Sequence, residues 1–143
     1  MKVSAAQDVV HWEAAAAAVS AAARWAEAAG IQVNIAVVDA GGNLAGFLRM
    51  PGAFLHSIDI AIDKAYTAAG FGLPTGALTE ALATHSPAVR DGLARRPRMV
   101  CFGGGLPLRH EGRLIGGIGV SGGSEQQDEA CARAGLSAIG LDI

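Results

Sequence analysis

Histidines are the side chains of this sequence best suited to hold a metal or to move a proton, because neutral imidazole does both near neutral pH. The chain has four of them: His11, His56, His85 and His110. His11 lies in the first helical segment, one position before Trp12, and His56 opens the second, shortly after Pro51. We therefore take His56 and His11 as candidate metal ligands and ligand-binding residues, with an exposed surface histidine as the alternative at each position.

His56 has carboxylates on its own helix face. Asp59 and Asp63 follow it at spacings of three and seven, which places all three side chains on one side of a helix. A carboxylate one turn away can orient an imidazole or raise its basicity, which suits either a metal ligand or a general base. A catalytic interpretation assigns roles to His56, Asp59 and Lys64. The alternative is the exposed polar face that any amphipathic helix has.

Cationic and hydroxyl groups form a second candidate site. Arg49 ends a strand, and Lys64 and Thr67 lie on adjacent turns of the helix that follows after a short loop. A guanidinium and an ammonium group that converge in this way suit a carboxylate ligand. The alternative is a salt bridge of Arg49 or Lys64 with a nearby aspartate.

The segment "GGIGVSGGSEQQDE", residues 116–129, is a strand that loses its side chains just before a helix begins. Glycine inside a strand often marks the close approach of a ligand or of another backbone, so Gly119 and Gly122 are candidate ligand-binding positions. The amides of the helix start could also bind an anion. Glu125 and Asp128 already complement the helix dipole and would repel an anion, which favours tight packing.

Hydrophobic periodicity and turn residues predict an α+β fold with the order α-β-β-α-α-β-β-β-α. A capping box at Ser4 and Gln7 predicts that the first helix starts there and runs to Gly30. Ser124 and Gln127 predict a second capping box at the final helix. The other expected elements are a hairpin over 33–48, a helix over 54–69, a short helix to about 83, an irregular connection, and strands over 98–102, 106–110 and 113–120. These strands form a five-stranded antiparallel sheet flanked by helices.

Composition limits the class of protein. The 143 residues predict a single domain over 1–143, with 51% hydrophobic and only 17% charged residues and a net charge of −2. The low charge predicts surface hidden in a homo-oligomer, and the absence of a basic block argues against nucleic acid as a partner. Neither a membrane-spanning segment nor a signal peptide is recognisable, so we expect a cytoplasmic protein without a membrane partner.

Three segments together resemble the GlcG/HbpS-like haem-binding proteins: "VNIAVVDAGGNLAGFLRM", "AIDKAYTAAGF" and "GGGLPLRHEGRLIGGIGVSGGSEQQDEACARAGL". The C-terminal domain of PduO-type corrinoid adenosyltransferases is similar too, and the resemblance covers about residues 5 to 140. It implies a profilin-like five-stranded sheet, assembly as dimers to octamers, and a place in catabolic gene clusters. The positions that match the family pattern are Asp39, Gly41, Gly42, Arg49, Lys64, Thr67, Gly104, Gly105, Gly119 and Gly122.

The resemblance makes haem the leading candidate ligand and cofactor. We expect a pocket between the second helix and the sheet, with His56 or His11 as the iron ligand and with Arg49 and Lys64 near the carboxylates of the ligand. The alternative is a cofactor-independent isomerase or lyase that acts on a small carboxylate, in which His56 and Asp59 move a proton. A third hypothesis is an accessory oligomer without a ligand.

Overall fold

The computed structural model describes residues 1–142 and shows a twisted sheet covered by helices on both faces. None of the helices in this described part is long and apolar enough to cross a membrane. The elements are α1 (Trp12–Ala28), β1 (Asn34–Asp39), β2 (Leu44–Arg49), α2 (His56–Phe71), a 3₁₀ turn (Thr75–Ala77), α3 (Leu78–Leu82), α4 (Pro87–Ala94), β3 (Gly105–His110), β4 (Arg113–Ser121) and α5 (Glu125–Ala138).

The sheet has the strand order β2-β1-β4-β3, and every neighbouring pair is antiparallel. Two hairpins build it. In the first, the Asp39 carboxylate accepts hydrogen bonds from the amides of Gly41 (2.8 Å) and Asn43 (3.0 Å), which fixes the turn. In the second, Glu111 and Gly112 take φ values of 51° and 77°, the conformation that a two-residue hairpin turn needs. Both turns confirm the expectation from the sequence.

The sheet has four strands, not five, within the described residues, so the prediction of a strand over 98–102 is wrong. Arg98 has φ = 67°, a left-handed conformation that interrupts an extended run. The Thr67 hydroxyl donates to the Arg98 carbonyl (2.8 Å) and accepts from the Val100 amide (3.2 Å). These bonds satisfy the backbone that a neighbouring strand would otherwise pair with.

One helix boundary and one connection also differ from expectation. The first helix begins at Trp12 rather than near Ser4, because His11 is its N-cap and residues 1–11 carry no regular structure. The connection expected to be irregular contains α4. Its N-cap is Ser86, whose hydroxyl accepts from the Val89 amide (3.3 Å), and Pro87 stands at its first position.

The capping box predicted at the final helix is confirmed. The Ser124 hydroxyl accepts from the Gln127 amide (3.1 Å), and the Gln127 side chain accepts from the Ser124 amide (3.0 Å). α5 therefore starts directly after β4, and it packs beside α1 on one face of the sheet.

The two faces of the sheet have different cores. The face beneath α1 and α5 is filled by larger aliphatic side chains, among them Ile35, Leu106, Leu108 and Ile118. The face beneath α2 is filled by small residues: Ala36, Val38, Ala61, Ala65 and Ala69. The second face therefore keeps α2 close to the strands.

A bulge in β4 changes which way its side chains point. Leu108 pairs with Gly116 and Arg109 pairs with Leu114, so Ile115 is an extra residue that has no partner on β3. Simple alternation of side chains would place Ile115 on the same face as Gly117 and Gly119. Instead, Ile115 packs against the aliphatic core beneath α1 and α5.

Candidate functional site

The interface between α2 and the sheet is filled by backbone. A Cβ atom added at Gly119 would lie 2.1 Å from the Ala61 carbonyl oxygen, and one added at Gly117 would lie 2.2 Å from the Ala65 carbonyl oxygen. The bare strand face is therefore occupied by the helix itself. No room remains there for the ligand pocket expected between α2 and the strands.

Gly122 is also a packing position. It has φ = 145°, and an added Cβ would lie 2.5 Å from the Gln32 carbonyl oxygen. The acids that follow are used within the protein: the Asp128 carboxylate accepts from the Gly123 amide (2.8 Å) and the Glu125 carboxylate from the Gly103 amide (2.7 Å). These contacts give Gly122 a structural role, and they fill the helix start with the protein's own carboxylates.

Lys64 forms a buried ion pair rather than a ligand contact. Its side chain is 1% exposed, and its ammonium group donates to the Asp128 carboxylate (3.1 Å) and to the Val120 carbonyl (2.8 Å). The Phe102 ring lies 5.0 Å from the same nitrogen. The pair ties α2 to the start of α5 across the end of β4.

Burial lowers the pKa of Lys64 below its usual value, because desolvation disfavours the charged form. The Asp128 carboxylate acts in the opposite direction, through its charge and its hydrogen bond. Removing either partner would leave the other charge buried and uncompensated, which is strongly destabilising.

Arg49, Lys64 and Thr67 do not converge. The Arg49 guanidinium is exposed and donates to the Ala53 carbonyl (2.8 Å), across the loop that leads into α2. The Thr67 hydroxyl is bound to residues 98–100, and Lys64 is enclosed with Asp128. A carboxylate held by Arg49 would therefore lie outside the reach of Lys64, and the geometry offers nothing in favour of the isomerase or lyase hypothesis.

His56 and Asp59 lie on the exposed side of the first turn of α2. Asp63, which was expected to share their face, accepts a hydrogen bond from Arg98 (3.0 Å) instead. Within residues 1–142, His56 is exposed and no group forms a hydrogen bond with its ring, so it has none of the fixed partners that a metal or proton-transfer site needs.

His11 contributes to a cavity at the N-terminal end of α1. The cavity has a volume of about 500 Å³, within the range of small-molecule sites. Its walls combine apolar and polar residues: Gln7, Asp8, Val9, Val10, His11, Ala14, His110, Ile115, Ile139 and Leu141. Three separate parts of the fold meet here, namely the chain before α1, the β3–β4 hairpin and the segment after α5.

Local structure explains why these parts meet. The bulge turns Ile115 toward the cavity, and the Val10 amide donates to the Ile115 carbonyl (3.0 Å), which attaches the N-terminal segment to β4. His11 then caps α1, with its Nδ1 accepting from the Glu13 amide (3.3 Å). This bond places the exposed imidazole at the edge of the cavity.

His110 and Ile115 are cavity residues that the sequence did not reveal. His110 follows a strand and precedes a tight turn, which is typical of a solvent-exposed hairpin residue. From the sequence alone, Ile115 fits the alternation of a regular strand, and only the pairing of β4 with β3 shows that it is a bulged residue. The sequence shows histidines at positions 11 and 110, but it carries no information that the two lie close together.

The chain thus combines an antiparallel four-stranded sheet between helical layers with a cavity at its edge that has two histidines in its wall. The family model described as "Haem degrading protein HbpS-like" matches residues 10–137. The chain belongs to this HbpS-like family.

Two relatives support the assignment at the level of sequence. An uncharacterized 15.0 kDa protein from the dhaT-dhaS intergenic region of Citrobacter freundii is 39% identical over 124 residues, which cover 84% of this chain and 87% of that protein. The corrinoid adenosyltransferase PduO of the same organism is 38% identical over 121 residues, which cover 85% of this chain. The match spans only 36% of PduO, so the likeness concerns one part of that enzyme.

Solved structures show the same fold. Protein ORFY of Klebsiella pneumoniae superposes with a TM-score of 0.90 at 33% identity, covering 99% of both chains. A double mutant of Streptomyces reticuli HbpS gives 0.86 at 37% identity, covering 96% of this chain and 92% of that one. A complex of PduOC with haem gives 0.83 at 32% identity, covering 91% and 94%.

Proposed function

We propose that this protein binds haem in the cavity beside His11. The observation that carries the proposal is a histidine in the wall of a cavity of about 500 Å³ that is lined by both aliphatic and polar residues. Membership of the HbpS-like family and the likeness to PduOC, which has been crystallised with haem, support the choice of ligand.

The residues present fit a haem group. Aliphatic side chains suit the apolar faces of the porphyrin, and they come from Val9, Val10, Ala14, Ile115, Ile139 and Leu141. Haem iron accepts an imidazole ligand, and His11 would provide it. Asp8, another wall residue, pairs with Arg113, which also pairs with Glu111, so a propionate at the rim would compete with these two carboxylates for the guanidinium. Bound haem would supply an iron centre for redox and oxygen chemistry.

His11 would have to change its hydrogen bonding to serve as the ligand. Its Nδ1 accepts from the Glu13 amide, so Nε2 carries the proton of the neutral ring. Ligation through Nε2 moves this proton to Nδ1 and gives up the capping bond. The bond is long, at 3.3 Å, and exposed, so its loss costs little.

Hemin titration of the purified protein tests the proposal. We expect a saturable Soret band for the natural sequence, and a loss in affinity of about tenfold or more for His11→Ala, because the iron loses its protein ligand. His85→Ala is the matched control, since His85 is an exposed histidine outside the cavity. His56→Ala separates the two candidate ligands and should leave the titration unchanged.

The distinction between specific and adventitious binding rests on the pattern across these variants. An unchanged Soret band and affinity in His11→Ala would contradict the proposed ligand. A loss in His56→Ala alone would move the site to the start of α2. Circular dichroism of each variant checks that α1 still forms once its cap is removed.

A further inference from the structure

A smaller crevice lies between the C-terminal half of α2 and the end of α4 with the segment that follows it. Its volume is about 180 Å³. Its walls are Tyr66, Thr67, Gly70 and Phe71 on α2, and Leu93, Arg96, Pro97, Arg98 and Met99 on the facing segment. The crevice is separate from the cavity beside His11, with which it shares no residue.

Arg98 is held in place at this crevice in an unusual way. Its guanidinium carbon lies 3.5 Å from the centre of the Tyr66 ring, and its Nε donates to the Asp63 carboxylate (3.0 Å). Its backbone has φ = 67°, which is unfavourable for a residue with a side chain. Within residues 1–142, its two terminal nitrogens make no hydrogen bond, so both remain available as donors.

Positive charge is concentrated around the crevice. The chain has a net charge of −2, yet residues 90–98 contain four arginines and a single aspartate. Arg90 pairs with Asp91 and Arg98 pairs with Asp63, while Arg96 forms no ion pair within the described part of the chain. Arg96 and Arg98 together exceed the charge of Asp63, which leaves the rim of the crevice cationic.

Gly70 keeps the crevice open. It lies inside α2, where glycine is less favourable than alanine by about 1 kcal/mol. Packing does not require it, because a Cβ atom built at Gly70 would meet no atom within 4 Å. The glycines of β4, by contrast, each have a backbone atom in the way. The missing side chain at Gly70 therefore creates space for a ligand.

We propose that this crevice binds a small aromatic carboxylate with a single ring. A dry cavity of about 150 Å³ is enough for benzene, so a crevice of about 180 Å³ holds one ring but not a porphyrin. The ring would pack among Phe71, Leu93 and Met99. The carboxylate would accept hydrogen bonds from the free nitrogens of Arg98 and from Arg96. A carboxylate is planar, and its two oxygens match the paired donors of a guanidinium group.

Tyr66 provides a specific reporter because it is the only tyrosine in the chain. We would label the protein with ¹³C-tyrosine and titrate it with benzoate, following the ring resonances by NMR. We expect a saturable shift with a Kd on the order of 1 mM or below, since few atoms contribute. Acetate and benzyl alcohol, which supply the charge and the ring separately, should each bind at least about tenfold more weakly.

Variants then locate the site. Arg98→Gly removes the guanidinium while suiting the left-handed backbone, and we expect about a tenfold loss of affinity for benzoate. Arg96→Gln should weaken binding as well, while Arg95→Gln, a neighbouring exposed arginine that does not line the crevice, should not. Gly70→Leu fills the crevice and should abolish binding, with Gly92→Leu in α4 as its matched control.

Three results would overturn the proposal. The first is the absence of a saturable shift at about 10 mM benzoate. The second is an equal response to acetate or inorganic phosphate, which would indicate an adventitious anion at the arginines. The third is an equal loss in Arg95→Gln and Arg98→Gly. Because hemin titrations of Arg98→Gly should match those of the natural sequence, the outcome is independent of the haem proposal.

Discussion

The two faces of the sheet solve the same packing problem in opposite ways. Beneath α1 and α5, aliphatic side chains such as Leu108 and Ile118 fill the space between layers. Beneath α2, glycines and alanines let backbone meet backbone. A face packed through side chains can leave a cavity at its edge, as it does beside His11. A face packed through backbone leaves no room between helix and strands, which explains why the ligand pocket expected between α2 and the sheet does not form.

Gly119→Ala should break the backbone-packed face, with the largest effect of the predicted changes. The added methyl group would lie 2.1 Å from one backbone atom of α2 and 2.5 Å from another, so the helix must move. We expect a loss of more than about 3 kcal/mol in the free energy of unfolding, or no folded protein. Urea denaturation measures it. Gly70→Ala is the control and should gain about 0.5–1 kcal/mol, and a mild loss at Gly119 would contradict the backbone contact.

Lys64→Met tests the buried pair that joins α2 to α5. The substitution leaves the Asp128 carboxylate buried without its counter-charge, and we expect a loss of about 3 kcal/mol in the free energy of unfolding. The double variant Lys64→Met/Asp128→Asn should recover part of this loss, because no charge remains buried. Urea denaturation of Lys64→Met, Asp128→Asn and the double variant gives the coupling free energy between the two side chains. Strict additivity would show that the two side chains do not depend on each other.

Alkaline pH should destabilise the packing beneath α1 and α5 through Cys131, a buried residue of α5. Burial raises the pKa of this thiol from its ordinary value of 9.0 to about 12, and its Sγ donates to the Ala22 carbonyl (3.1 Å). Above pH 9 the unfolded state releases the proton while the folded state retains it, so stability falls as the pH rises toward 12.

The size of this effect follows from the linkage. Between about pH 8 and about pH 10.5, the natural sequence should lose about 2 kcal/mol more than Cys131→Ala loses over the same range. Urea denaturation at the two pH values measures the difference. Comparing the two proteins cancels the contributions of Cys101, whose pKa is also raised, and of Lys64, whose pKa is lowered. If the free energy of unfolding of both proteins changed equally with pH, the thiol of Cys131 would ionise as it does in the unfolded chain, which would contradict its burial.

Ile118→Val should give the smallest effect, and it allows the two faces to be compared directly. Ile118 is the neighbour of Gly119 in sequence but points to the aliphatic face, where its Cδ1 lies near Gly135. Removing one methyl group there should cost about 1 kcal/mol in the free energy of unfolding. Adding one methyl group at Gly119 should therefore cost several times more than removing one at Ile118. Equal losses would mean that the two faces tolerate changes alike.

The sequence predicts most of the fold because the signals involved are local. The Asp39 turn, the Glu111-Gly112 turn and the Ser124 capping box each depend on residues that lie within five positions of one another. The helix expected from Ser4 fails because a contact distant in sequence, Val10 with Ile115, holds the segment before α1. The strand expected near Arg98 fails because Thr67 binds its backbone.

The candidate site was harder to predict for the same reason. The sequence places Lys64 and Thr67 on adjacent turns, but it does not show that Asp128 and Arg98 already engage them. His11 was named as a candidate ligand for a pocket between α2 and the sheet, and its actual cavity was not predicted, because that cavity depends on the bulge in β4. A bulge moves one residue to the other face without leaving a recognisable mark in composition or periodicity.

The bulge at Ile115 makes the cavity sensitive to chain length at a single position. Deleting Ile115 would restore simple alternation in β4. It would also remove a side chain from the cavity wall and the carbonyl that holds the Val10 amide. The remaining sheet and helices could persist unchanged. Two proteins with the same fold could therefore differ in whether they accommodate a ligand at this edge through one codon gained or lost.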